Sequence, residues 1–325
     1  MRTLSCLLLS LMVSGCLNSP SAATPTPSPA NAVPSPQAIS WKVDPALRDR
    51  LKAHVVMLAG TIGPRNTVTP EGYKKAEAYL QTQLEGMGYT VEKQTYDVEG
   101  QPSVNLWAEK NGGPEVLVVG AHYDTLDSGT PGADDNASGC AATLELARLL
   151  KDEVDGPTVR FLFFANEEPP YFHTSAMGSL VYATRLKEGR EKLLGMISLE
   201  SIGFYSDKGD SQHFPTGISG YPDTGNFVAF ISDLTSKPFL DRCLAAFQED
   251  PTMPSEGLSA PGMVEGVNWS DHWAFSKNGY PALMITDTAP FRNPHYHLDS
   301  DTPDTLDYDQ LAAVTEGVYR MLLKL

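Results

Sequence analysis

Cysteine is scarce in this chain. There are four in 325 residues, and only Cys140 and Cys243 lie beyond residue 16, so the body could form at most one disulfide. Both stand in apolar, helix-like surroundings, where buried free thiols are the alternative. Basic residues are also few: 24 Lys and Arg face 40 Asp and Glu, a formal net charge of −16. Such a surface repels phosphate backbones and anionic lipid, which excludes nucleic acid and electrostatic membrane docking as the chain's business. After residue 40 no apolar run approaches the ~18 residues of a permanent membrane span. The chain is rich enough in apolar residues, at 41% hydrophobic and 20% charged, to exclude a mainly disordered protein and to fill a sizeable core.

The first 40 residues differ from the rest. Arg2 gives a positive start, residues 4–13 form a short apolar run, and Val13-Ser14-Gly15-Cys16 ends it with small residues before a cysteine. This resembles the lipobox of bacterial lipoproteins, which implies that residues 1–16 are a signal and that Cys16 is lipidated and becomes the new first residue. Residues 17–40 hold Pro20, Pro25, Pro27, Pro29, Pro34 and Pro36 among Ser, Thr and Ala, without charge. Such a segment cannot bury a core; extended at ~3.1 Å per residue it could reach roughly 70 Å. The expectation is a disordered tether holding the body off a bacterial envelope membrane, with the lipid at Cys16 the only membrane contact.

From 41 to 325 the composition is globular, with no internal repeat and no second linker, so one domain is expected. Helical patterns occupy 45–58 and 70–85, the second opened by Thr69 as a cap and Pro70 at the first helical position. Residues 90–98 and 104–109 alternate like strands. Short continuous apolar runs at 116–119, 159–164, 194–199 and 281–285 read as strands covered on both faces. Between them, 137–150, 177–186, 226–247 and 307–323 read as helices, the third with breaks and the last capped by Asp307. Buried strands alternating with helices predict a three-layer α/β/α sandwich with a mostly parallel central sheet, whose sites form outside the carboxyl ends of the strands.

Those strand ends carry the chemistry. His122-Tyr123-Asp124 follows the first buried run, Asn166-Glu167-Glu168 the second and Glu200 the third. Gly132-Ala133-Asp134-Asp135-Asn136 precedes a helix, and a loop after the last strand carries His295-Tyr296-His297. Imidazole and carboxylate without thiolate suit a catalytic zinc site. Two histidines and three carboxylates exceed what one tetrahedral ion needs and can hold a pair sharing a bridging carboxylate and water. Without cations, so many carboxylates would repel one another and some would protonate.

The order and spacing of His122-Tyr123-Asp124, of 132–139, of Asn166-Glu167-Glu168 and of Tyr296-His297 with Asp301-Thr302 resemble the zinc-dependent M28-type aminopeptidases. Ile62-Gly63-Pro64-Arg65 and Ser270-Asp271-His272 agree more weakly, and together the resemblance covers about 45–325. It implies two zinc ions per chain. His122 and Glu200 would bind one, Glu168 and His297 the other, and Asp134 would bridge them with Asp135 supporting the loop, the reverse being the alternative. Glu167 would be the general base acting on the bridging water, and Asp124 would accept from the other ring N–H of His122. Many members have Asp at the position of Glu200; Glu, one methylene longer, is kept as a ligand. The implied substrate is a peptide with a free amino terminus, and a monomer is expected. Two other readings stand beside it: a glutaminyl cyclase using one zinc on a closely similar fold, and a binding protein of this fold without catalysis. His295 competes with His297, His173 and Asp271-His272 are left without a role, and Tyr123, Tyr171 and Tyr205 are open as oxyanion donors.

Overall fold

Apolar runs form the middle of one eight-stranded sheet. The structure, a computed structural model, describes residues 43–126, 129–154 and 156–325, so the expected signal, the lipid site at Cys16 and the tether lie outside the described residues. The strands are β1 (Glu92–Val98), β2 (Gln101–Lys110), β3 (Gly113–His122), β4 (Pro157–Phe164), β5 (Leu193–Glu200), β6 (Val228–Asp233), β7 (Ser255–Ala260) and β8 (Ala282–Thr286). Their spatial order is β1-β2-β4-β3-β5-β8-β6-β7. The central pairings β4–β3, β3–β5 and β5–β8 are parallel, as is β6–β7; the others are antiparallel.

Strand alternation divides the core. Leu117, Val119 and Ala121 of β3 join Phe161 and Phe163 of β4 on one face, under α1 (Pro45–Val55), α2 (Pro70–Gly86), α3 (Gly139–Leu150), α5 (Lys237–Glu249) and α8 (Tyr308–Leu322). Val118, Leu162, Phe164 and Met196 face the other way, under α4 (Gly178–Glu188) and α6 (His272–Lys277). Toward the β8–β6–β7 edge this second face is covered instead by irregular chain carrying Phe214, Val264 and Val267. The result is the expected three-layer sandwich.

Two expectations need correction. Residues 226–247 are not one broken helix: Val228-Ala229-Phe230-Ile231 is the buried start of β6, and the helix begins only at Lys237, with Pro238 in its first turn. A four-residue apolar run has no period that separates strand from helix. Strand β7 was not foreseen, because Ser255-Glu256-Gly257-Leu258-Ser259-Ala260 lacks β-branched residues; pairing with β6 creates it. Local chemistry is otherwise as read. Asp307 caps α8 by accepting from the Asp309 and Gln310 amides. Pro70 opens α2, but the Thr69 hydroxyl donates to Asn66 Oδ1 at 2.9 Å rather than capping the helix. Cys140 and Cys243 are buried free thiols. No helix among the described residues is long and apolar enough to cross a membrane.

Phe230 is buried on β6 and meets Phe247 of α5 edge-on at 5.2 Å. Phe230→Ala is expected to lower the unfolding free energy by about 3–5 kcal/mol, read from urea denaturation; a loss below about 1 kcal/mol would contradict a strand covered on both sides.

Candidate metal centre

Each functional side chain is aimed by the end of an element. His122 is the last residue of β3 and Glu200 the last of β5. After β4, Asn166 takes φ 57°, a left-handed turn that Asn tolerates, and presents Glu167 and Glu168. His297 follows the short helix α7 (Ala289–Arg292), itself at φ 60°.

The fifth contribution, the loop before α3, is held from several sides. Gly132 has φ 61°, and a Cβ there would lie 2.2 Å from the Asp135 carbonyl, so glycine is required. The fully buried Arg65 guanidinium donates to the carbonyls of Tyr123, Pro131 and Gly132. Asp301 accepts from the amides of Asp134 and Asp135 at 2.9 and 3.1 Å. Asn136, joined to Asp135 by a cis peptide, donates from Nδ2 to the Leu199 carbonyl and Glu200 Oε2.

This loop turns Asp135, not Asp134, into the centre. Asp135 Oδ1 lies 3.2 Å from His122 Nε2, and its Oδ2 lies 3.1 Å from His297 Nε2. Glu200 Oε2 is 3.2 Å from His122 Nε2, and Glu168 Oε2 is 3.5 Å from His297 Nε2. Two groups with metal-ligand geometry result, His122–Asp135–Glu200 and Asp135–Glu168–His297, each with its ligand atoms within 4.8 Å of one another. The expected bridge Asp134 points elsewhere: Oδ1 accepts from the Gly203 amide at 2.8 Å and Oδ2 from Asn293 Nδ2 at 2.7 Å. Adjacent residues in this turn face opposite ways, and spacing alone could not choose between them. Asp124 also differs in part. Its carboxylate accepts from the amides of Glu167 and Glu168, both at 3.0 Å. His122 Nδ1 is nearer the Asp124 main-chain carbonyl, at 3.2 Å, than its carboxylate, at 3.5 Å. One residue thus orients both the imidazole and the acidic pair.

Charge makes the cluster unstable alone. Burial pushes the Glu167 carboxyl well up, with Glu200 and Asp271 adding to it against His122. Burial, with Asp135 and Glu167, does the same to Glu168. Burial would also raise Asp135, but the two histidines hold it below its ordinary value. His122 Nε2, Asp135 Oδ1 and Glu168 Oε1 are buried without a hydrogen-bond partner among the described residues, although two of them lie 3.2 Å apart. A donor set of imidazole and carboxylate with idle buried lone pairs fits divalent cations, which invert the local pKa order.

The residues left open now have places. His295 turns away, its Nδ1 2.9 Å from Ser300 Oγ. His173 stacks between Phe172 and Trp273, with Nε2 3.0 Å from the Asn268 carbonyl. Tyr123 and Tyr205 donate to the carbonyls of Val104 and Ile202, and the Tyr171 hydroxyl meets Thr67 Oγ1. Sequence reasoning quoted Tyr296 within a motif but gave it no role; it lies in the field of Asp135, Glu168, Glu200 and Glu167. Sequence reasoning missed Asp287, buried one residue beyond β8 and accepting from the Phe204 amide at 2.7 Å. A carboxylate just past a buried strand, the signal that singled out Glu200, marks Asp287 equally. Asp271 is also buried, its carboxyl pushed up to about 8 by burial.

The chain is similar to known proteins over most of its body. Residues 104–322 match the pattern of peptidase family M28. The chain is 36% identical to the uncharacterized protein YfbL of Escherichia coli (strain K12), over 84% of this chain and 87% of that one. It is 30% identical to leucine aminopeptidase 1 of Trichophyton equinum, over 61% of this chain but only 51% of the fungal protein. Among solved structures, a zinc aminopeptidase from Bacillus subtilis superposes with TM-score 0.68 at 15% identity, over 85% of this chain and 94% of that one. A glutaminyl cyclase from Fimbriiglobus ruber superposes with TM-score 0.66 at 23% identity, over 90% and 99%.

Asp135→Asn is expected to weaken zinc binding by more than about a hundredfold and Asp134→Asn by less than about tenfold, measured by competition with a chromophoric chelator. The reverse order would return the bridge to Asp134.

Proposed function

The chain belongs to peptidase family M28, and we propose that it is a two-zinc aminopeptidase that removes the first residue from peptides. One observation carries this reading: the two groups of candidate ligands share Asp135, one oxygen facing each histidine. Two zinc ions there would supply Lewis acidity, bringing a water's pKa toward neutrality and polarising the scissile carbonyl.

The chain's own groups supply the rest. Glu167 belongs to neither ligand group, yet its Oε2 is 3.9 Å from His122 Nε2. It is the general base, taking a proton from the attacking water and returning one to the leaving amine. Its amide is tied to Asp124, which fixes the main chain from which the carboxylate projects. The surrounding carboxylates hold the substrate's α-ammonium group, so that a free amino terminus is recognised and cleavage occurs one residue in. A cyclase on this fold would use one zinc and cyclise an amino-terminal glutamine; the complete His122–Asp135–Glu200 group favours two ions instead.

We propose further that the chain is exported and anchored to the bacterial envelope by lipid at Cys16, acting as a monomer on peptides. The lipobox-like Val13-Ser14-Gly15-Cys16 and the proline-rich segment after it support export and the anchor.

With aminoacyl-coumarin substrates, Glu167→Gln is expected to lower kcat by about 10²–10⁴-fold while zinc content stays that of the parent. Unchanged kcat would remove Glu167 as base, and pyroglutamate formation by a one-zinc protein would replace the aminopeptidase reading with the cyclase. Cys16→Ser should move the protein from the membrane pellet to the soluble fraction; retention in the pellet would contradict the anchor.

A further inference from the structure

Beside the metal centre a cavity of about 760 Å³, including its mouth, runs along the sheet from Glu200 and Tyr296 to Glu256. The sheet register fixes its floor. Glu200 pairs with Thr286, Thr286 with Ala229, and Ala229 with Glu256. All four therefore lie in one row and project from one face. Three strand spacings of about 4.8 Å put the two glutamates roughly 14 Å apart. The next row on that face, Ser198–Met284–Ile231–Leu258, carries the apolar floor, and Phe227, Trp269 and Phe291 supply much of the wall.

Glu256 is out of place in such a cavity. It is half-buried, and no Lys, Arg or His among the described residues pairs with its side chain. Burial alone raises its pKa, as for a carboxylate without a cation. An apolar ligand side chain filling the cavity would strip water from that carboxylate without compensation. A side chain with an apolar stem and a cationic tip satisfies both ends. Lysine spans about 6 Å from Cα to Nζ and arginine about 7 Å to its guanidinium. On a peptide whose first residue sits at the metal centre, a lysine or arginine side chain carries its charge farther along the row toward Glu256 than a leucine side chain reaches.

We propose that Glu256 is a specificity residue that selects peptides beginning with lysine or arginine. The proposal rests on the aminopeptidase reading for the position of the substrate's first residue.

The test uses the full zinc-loaded chain with two readouts. Calorimetry compares binding of free lysine with norleucine, which has a similar stem and no cation, and a coumarin panel compares kcat/KM for Lys, Arg, norleucine and Leu. Lysine is expected to bind at least about tenfold tighter than norleucine, with a similar ratio in kcat/KM. Glu256→Gln, nearly isosteric, should bring both ratios close to one. A parent protein that favours norleucine or leucine overturns the proposal, as does a Lys preference that survives Glu256→Gln. If lysine binding depends on Glu256 but no aminoacyl substrate is turned over, the pocket assignment holds and the aminopeptidase reading falls. Turnover with no dependence on Glu256 gives the opposite result.

Discussion

One carboxylate shared between two imidazoles governs this site. Asp135 stands just over 3 Å from both His122 and His297, and Glu167, Glu168 and Glu200 crowd around it in a buried space. In a medium that screens charge poorly, such a cluster costs several kcal/mol per ion unless positive charge answers it. The idle lone pairs on His122 Nε2, Asp135 Oδ1 and Glu168 Oε1 fit a divalent cation.

The rest of the fold is arranged to place that carboxylate. Parallel strands β3, β4 and β5 end on the same edge, which brings His122, the Glu167–Glu168 pair and Glu200 together from distant parts of the chain. The loop carrying Asp135 cannot bond into the sheet, so its polar groups are met individually. Arg65 serves its carbonyls, Asp301 its amides, and Asn136 locks it to the end of β5. Asp134, facing the other way, fixes the chain at Gly203 and Asn293. The same edge opens sideways into the cavity that ends at Glu256, so metal centre and pocket share one row of the sheet.

Much of this is legible in the sequence where burial leaves a one-dimensional trace. The apolar runs at 116–119, 159–164 and 194–199 are the central strands, and a His or carboxylate just past each is a site residue. The trace fails where tertiary contacts decide. Nothing in the order of Asp134 and Asp135 says which one faces the histidines; Gly132 and the carboxylate of Asp301, 166 residues later, decide that. Val228-Ala229-Phe230-Ile231 is too short to show a period, and Ser255–Ala260 is a strand only because β6 lies beside it. Glu256 drew no notice because an isolated glutamate on a polar stretch is ordinary until its row is known.

Anomalous diffraction at the zinc edge from crystals of the zinc-loaded protein tests the central claim most directly. The account predicts two peaks about 3.5–4 Å apart, one beside His122 and Glu200, one beside Glu168 and His297, with Asp135 between. A single peak at Glu168 and His297, leaving His122 and Glu200 unligated, would contradict it.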